Sequence, residues 1–366
     1  MTIIIFILVL IILILVHELG HFLFAKLFGI RVDEFGLGFP PRIWGYKPKG
    51  GETMYSINAI PFGGFVKIYG EDYDAIEGDP DRKRSFILQD KWKQAVVLFA
   101  GILFNIILAW ILISTTLVAG VNYGTDGRYS DMVVDPGVLI ANVLPDSPAD
   151  VGGFMLGDKI LFVSSANISI QGDDINPDSV TEAIKGSEGS DLDFLVKRGE
   201  DSVTLRVTPS EEIIPGSLAI GVSMVNSGKL KLPVHLAIVE GARVTYELTG
   251  SIISGVWGLL KDTFSGNGSM ANVVGPVGIA GLVGDASRMG FVALITFMAM
   301  ISLHLAVLNL IPFPALDGGR ILFVLIEKIK GSPLNPKIVG TINLVGFGLL
   351  LLLLLFVTYK DIVKLF

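Results

Sequence analysis

Residues 2–28 read TIIIFILVLIILILVHELGHFLFAKLF, an apolar run whose polar content is the cluster His17, Glu18 and His21, with Lys26 near its end. A bilayer core takes about 20 apolar residues. The run is long enough to cross one, too long for a signal-peptide core, and no small-residue cleavage site follows it, so it reads as a retained transmembrane helix. Three further apolar stretches lie outward along the chain: residues 95–120, entered through Lys91-Trp92-Lys93 as suits a membrane–water interface, residues 291–311, and residues 339–359. Composition points the same way. Of 366 residues, 51% are hydrophobic and 17% charged, where a soluble globular chain carries about 25% charged residues. Disordered and collagen-like chains are excluded. The absence of cysteine removes disulfides, thioether haem, iron–sulfur clusters and thiolate zinc sites, leaving histidine and carboxylates as metal ligands. A net charge of −7 without long basic runs argues against nucleic acid as a partner.

The segments between the spans differ in kind. Residues 35–70 are punctuated by Gly36-Leu37-Gly38, Pro40-Pro41 and Gly63-Gly64 among β-branched and aromatic residues, a pattern of hairpins with a tight bend. Residues 131–208 alternate short β-prone runs, at 139–143, 159–163, 192–198 and 203–207, with one helical segment at 178–184, and so describe a small inserted β-rich domain. Residues 233–264 space His235, Glu240, Arg243, Glu247 and Lys261 among apolar residues, which favours an amphipathic helix on the bilayer surface or against the bundle over a fifth span. The expected fold is therefore a polytopic α-helical membrane protein with four transmembrane helices, a β-hairpin loop and an inserted β-rich domain. Basic residues orient it. Arg31, Arg42, Lys47, Lys49, Lys67, Arg82, Lys83, Arg84, Lys91 and Lys93 lie in the first loop, and Arg320, Lys328, Lys330 and Lys337 in the short third one. Both loops are expected on the cytoplasmic side, with the termini and the β-rich domain outside.

His17-Glu18-Leu19-Gly20-His21 matches H-E-x-x-H on a helix. Positions four apart share a helix face, so two imidazoles can hold one Zn²⁺ while Glu18 reaches a water that the metal makes acidic. With roughly 2% usage for His and 6% for Glu, a chance match in a chain of this length comes about 1% of the time, and polar groups within an apolar span are rarer still. The other reading is a polar patch hydrogen-bonded to neighbouring helices. Catalytic zinc takes three protein ligands, and the best third candidate is Asp317 in NLIPFPALDGG, residues 309–319, directly after the third span. There the two prolines break the helix and the glycines allow close approach, as expected of irregular backbone around a buried site; alone, the stretch could be a Pro/Gly loop with a capping Asp. Four spans put both pieces at the same face of the membrane. A fifth would separate them.

Together, HELGH in the first span, NLIPFPALDGG after a later one and IPFGGFVKIYGED between spans resemble the site-2 protease family of intramembrane zinc metalloproteases, and more narrowly its regulator-of-sigma-E type. The intervening domain resembles a single PDZ domain through VLPDSPA at 143–149 and GDKI at 157–160. The resemblance implies Zn²⁺ as cofactor, His17, His21 and Asp317 as its ligands, and Glu18 as general base. It further implies that Asn309 holds the substrate backbone or scissile carbonyl, and that a membrane-associated β-loop including Gly63, Gly64, Phe65, Val66 and Lys67 adds a strand to an unwound substrate. An interhelical hydrogen bond for Asn309 and a structural hairpin for the loop are the plainer alternatives. His304 stands where many relatives carry Asn; it is a candidate substrate contact or an extra pH-sensitive group, with a hydrogen bond within the bundle favoured. Gly275-Pro276-Val277-Gly278 also resembles a recurrent family segment, without a derivable role.

The chain thus divides into residues 1–120 with the first two spans and the β-loop, 121–215 as the PDZ-like extracytoplasmic domain, 216–290 as linker and amphipathic helix, and 291–366 with the last two spans. The expected function is endoproteolysis in or beside the transmembrane segment of single-span proteins, of the anti-sigma-factor or remnant-signal-peptide kind, in the bacterial inner membrane. Two other classes fit less well. A non-catalytic PDZ scaffold with structural zinc has no use for Glu18, and a metal transporter should spread polar residues along several spans, whereas here they gather at one depth.

Overall fold

In the computed structural model the N-terminal apolar run is one helix, α1 (Thr2–Leu27). The structure describes residues 2–71, 79–125, 127–165, 168–199, 201–265 and 274–363. Asp72, at the end of the IPFGGFVKIYGED motif, lies outside them. After α1 come strands β1 (Val32–Tyr46) and β2 (Met54–Ile68), followed by α2 (Lys91–Ala119). The β-rich part then holds β3 (Val121–Gly124), β4 (Val133–Val143), α3 (Pro148–Val151), β5 (Lys159–Ser164), β6 (Ser169–Gln171) and α4 (Pro177–Gly186). It is completed by β7 (Leu192–Arg198), β8 (Asp201–Val207), β9 (Ser210–Ile214), β10 (Ser217–Ala219) and β11 (Val222–Leu230). Helices α5 (Val234–Phe264), α6 (Pro276–Arg288), α7 (Phe291–Leu310), α8 (Asp317–Lys330) and α9 (Pro336–Val363) close the chain. Among the described residues, α1, α2, α7 and α9 are long and apolar enough to cross a membrane, the four expected. Contacts divide the molecule into two units, Met1–Thr116 with His235–Phe366, and Leu117–Val234.

In the helical unit, α1 buries Val9 and Leu13 against Val283 of α6 and the apolar face of α7. Gly20 of α1 sits on the backbone of α2, where a Cβ would come within 2.4 Å of the Ala100 carbonyl oxygen, so the two axes approach as only a residue without a side chain allows. Helix α6 was not expected from the sequence. It starts at Pro276, and the carboxylate of Asp361, near the end of α9, accepts the backbone N–H groups of Gly275 (3.1 Å) and Gly278 (2.8 Å) at its first turn. That gives the Gly275–Gly278 segment a structural role: the glycines let a distant carboxylate reach helix-terminal donors that have no partner within the helix. Helix α5 is continuous and packs its N-terminal half against α2, with Ala237, Glu240 and Thr245 buried and the Trp110 indole N–H donating to the Ile238 carbonyl at 2.8 Å. It is not among the span-length apolar helices.

The β-loop is more than a hairpin. Residues 34–37 of β1 pair on one side with 64–67 and on the other with 54–57, while 42–46 pair with 55–58, so two long strands fold over into four segments. Segment 64–68 forms one edge and lies against α1: a Cβ on Gly64 would sit 3.5 Å from Glu18 Cγ.

In the other unit an antiparallel sheet runs β3-β11-β4-β5-β7-β8, with β6 beside β5 and a separate β9–β10 ribbon. Its core gathers Phe194, Ile140, Leu192, Val163, Val180 and Ile220. The GDKI stretch has a structural account, because Asp158 is buried and takes a two-pronged bond from Arg198 (2.8 and 2.6 Å) together with the Met155 N–H (2.9 Å). One boundary is corrected. Residues 216–230, expected in a linker, supply β10 and β11, and β11 lies inside the sheet between β3 and β4. Its sequence, VSMVNSGKL, carries little β-propensity; pairing on both edges makes it a strand.

Candidate metal centre

His17 and His21 sit one turn apart on α1, both buried, with Nε2 atoms 3.2 Å apart. Asp317 reaches them from a region three hundred residues along the chain. Helix α7 stops at Leu310, the Pro312–Pro314 segment runs irregularly, and Ala315 takes a left-handed φ of 74°, its N–H directed to Asn343 Oδ1 at 3.3 Å. The next helix then begins at Asp317 itself. Gly318 and Gly319 make the turn possible, since a Cβ on either would fall within 2.4 Å of backbone carbonyl oxygens at Ile311 and Phe313. Asp317 does not cap α8 with its side chain. Its Oδ2 points away, to 3.0 Å from His17 Nε2 and 3.4 Å from His21 Nε2.

The donors fit a cation. Tetrahedral zinc with bonds of about 2.0–2.1 Å has ligand–ligand edges of about 3.3 Å, and the three edges here are 3.0, 3.2 and 3.4 Å. Asp317 Oδ2 is buried with no well-formed hydrogen bond, an orphaned anion that a cation would satisfy. His21 donates its Nδ1–H to the Val97 carbonyl at 2.9 Å, so the lone pair on Nε2 faces the cluster. Among the described residues, these three are the group able to hold a metal.

Glu18 lines cavities on both sides of the cluster, each shared with His17 and Asp317. One, of about 140 Å³, is bordered by His21, Phe65, Val66, Ile68 and the ion-paired Glu71 and Arg320. The other, of about 250 Å³, is bordered by Ile14, Asn105, Leu305, Asn309, Ala315 and Leu316. A polar, charged approach therefore meets the cluster from the β-loop side and a more apolar one from the end of α7.

Of the residues singled out from sequence, His17, Glu18, His21, Asp317, Asn309, Phe65 and Val66 are brought together; Gly64 adjoins on the same edge segment, and Gly63 directly precedes it. Two are not. Lys67 is exposed and lines neither cavity, and His304 is exposed with its Nδ1 donating to the Met300 carbonyl of its own helix at 2.8 Å. The correction for His304 is geometric: positions five apart on a helix differ by about 140°, so it cannot share the inward face of Asn309. It keeps the bland hydrogen-bonding role, but within α7.

Helix α2 contributes residues that the sequence reading passed over. Val97, Gly101 and Asn105 are spaced by four and present one face to α1. Val97 holds His21. A Cβ on Gly101 would lie 2.4 Å from His21 Nε2 and 2.8 Å from His17 Cε1, so glycine makes room for both rings. Asn105 is fully buried beside His17 Nδ1 at 3.3 Å. The signal was there: Asn105 is the one amide in the apolar run 95–113 of α2, and a polar side chain within a span needs a partner.

Such a centre inside an apolar helical bundle puts the chain in the class of membrane-embedded metallohydrolases. Comparison with known proteins narrows it: residues 5–353 match peptidase family M50, the site-2 protease family, and the chain belongs to that family. It is 35% identical over 358 residues to a Clostridium perfringens protein provisionally named a zinc metalloprotease, covering 96% of this chain and 95% of that one. A Nostoc protein of the same provisional naming is 35% identical over 364 residues, covering 98% and 94%. The zinc metalloprotease RasP of Oceanobacillus iheyensis is 28% identical over 445 residues, covering 100% and 99%. The chain is thus an integral-membrane zinc metalloprotease.

Proposed function

We propose that this protein is an intramembrane endopeptidase in which His17, His21 and Asp317 hold the zinc ion and Glu18 is the general base. The observation that carries the reading is the convergence of the H-E-x-x-H face with Asp317 at 3.0–3.4 Å within an apolar bundle. Bound zinc supplies Lewis-acid chemistry, polarising a carbonyl and acidifying water. Glu18 takes a proton from the attacking water and returns it to the leaving amine nitrogen. Asn309, at the end of α7 and on the wall of the larger cavity, donates its amide N–H to the oxygen on which negative charge develops. The edge segment that includes Phe65 and Val66 pairs, among the described strands, on one side only. Its other side offers main-chain partners to a stretch of substrate. A transmembrane helix hides its peptide bonds in its own hydrogen bonds, so cleavage needs that exchange.

Substrates are single-span membrane proteins of the anti-sigma-factor or remnant-signal-peptide kind, cut in the bacterial inner membrane from the cytoplasmic side. The β-rich unit acts as an extracytoplasmic PDZ-like domain that excludes substrates with untrimmed outer domains. The clustering of basic residues in the first and third loops supports this orientation. The test is cleavage of a single-span model substrate by the purified protein. Glu18→Gln should lose about 10²–10⁴-fold in rate while keeping zinc, and Asp317→Ala should lose both. Unchanged cleavage by Glu18→Gln refutes the assignment.

A further inference from the structure

The two imidazoles of the cluster are oriented differently. His21 is fixed by a backbone carbonyl, that of Val97, which no substitution removes. His17 has at its Nδ1 a side chain, the carboxamide of Asn105, with Nδ2 at 3.3 Å. Asn105 is fully buried, its Oδ1 has no hydrogen-bond partner, and its own carbonyl accepts from Ser302 Oγ of α7 at 2.8 Å, so its backbone is pinned between helices. In this arrangement the amide N–H donates and Nδ1 accepts. When Nε2 of His17 gives its lone pair to a metal, the ring proton must sit on Nδ1, which becomes a donor facing a donor. A half-turn of the amide removes the conflict. Rotation leaves one amide atom unpaired either way, so the amide itself does not choose; the imidazole does.

We infer that Asn105 is the positioning residue for His17: in the metal-loaded protein its Oδ1 accepts the Nδ1–H of His17 and holds the ring with Nε2 toward the ion. This rests on the reading of His17, His21 and Asp317 as the metal-holding set. Asn105 is spaced by four from Gly101, which makes room for the same rings, so α2 supplies both the space and the orienting bond.

The test uses the full chain and compares Asn105→Leu, of similar volume and without an acceptor, with Asn105→Asp, which keeps one. Zinc affinity is read by competition with a chelator, and the visible spectrum of the cobalt-loaded protein reports ligand geometry. Asn105→Leu should weaken zinc by about 10–100-fold and shift the cobalt bands, while Asn105→Asp should bind at least as tightly as wild type. Wild-type affinity in Asn105→Leu overturns the inference, as does an Asn105→Asp variant that is folded yet as weak as Asn105→Leu. Should Asn105→Leu not fold, ¹⁵N shifts of the histidine rings in zinc-loaded wild type decide: ligation of His17 through Nε2 with Nδ1 protonated is expected, and ligation through Nδ1 overturns it. A wild type that takes up no zinc, or a His17→Ala variant that keeps it, refutes the metal-site reading itself rather than the role of Asn105 alone.

Discussion

Replacing Gly101 by alanine should disable the metal centre while leaving the helix that carries it intact. In a helix interior the change gains about 1 kcal/mol of intrinsic propensity. The added methyl would lie 2.4 Å from His21 Nε2, 2.7 Å from its Cε1 and 2.8 Å from His17 Cε1. Normal contact is about 3.5–4.0 Å, so the rings must retreat by about 1 Å. His21 cannot do so freely, because its Nδ1 is tied to the carbonyl of Val97, one turn before Gly101 on α2. Metal–ligand distances tolerate about 0.2 Å, so a loss of about 100-fold in zinc affinity is expected, with about 1–3 kcal/mol of overpacking. At a zinc concentration 100-fold above the wild-type dissociation constant, metal-induced stabilisation should then fall from about 2.7 to about 0.4 kcal/mol. Thermal unfolding with and without zinc measures this, with Gly255→Ala on α5 as the control, since nothing lies within 4 Å of a Cβ there. A Gly101→Ala protein that keeps the full zinc-dependent shift would refute the packing argument.

Asp361→Ala should cost about 1–3 kcal/mol by stranding the N–H groups of Gly275 and Gly278, seen as a lower unfolding midpoint and, if α6 frays, faster proteolysis near residue 275. Glu52 is held down to about 2, first by its paired bonds from Arg84 and further by Lys26. A carboxylate depressed on folding stabilises the folded state above its unfolded value, and that stabilisation is lost as pH falls from about 4.5 toward 2. Unfolding midpoints at pH 7, 5 and 3 should therefore fall more steeply for wild type than for Glu52→Gln; parallel curves would refute it.

The four long apolar helices were legible because burying backbone in lipid demands about 20 apolar residues in a row, and α1, α2, α7 and α9 supply them. Four strands of the β-rich unit, β4, β5, β7 and β8, were legible as short β-prone runs. Strand β11 was not, because VSMVNSGKL becomes a strand through the partners it finds. Within the site, H-E-x-x-H announced itself by local spacing, and Asp317 by the Pro/Gly sequence around it.

By itself, then, the amino-acid sequence determined which segments are apolar enough to leave water, which helix carries two imidazoles and a carboxylate on one face, and which broken segment could answer them. Those are properties of neighbours along the chain. Tertiary structure alone decided that Val97, Gly101 and Asn105 of α2 frame the rings, that His304 and Lys67 stand clear of the cluster, and that Asp361 holds the start of α6. Such relations depend on how elements are rotated and spaced against one another, and no local pattern encodes them, since each relates residues that the chain separates by tens to hundreds of positions.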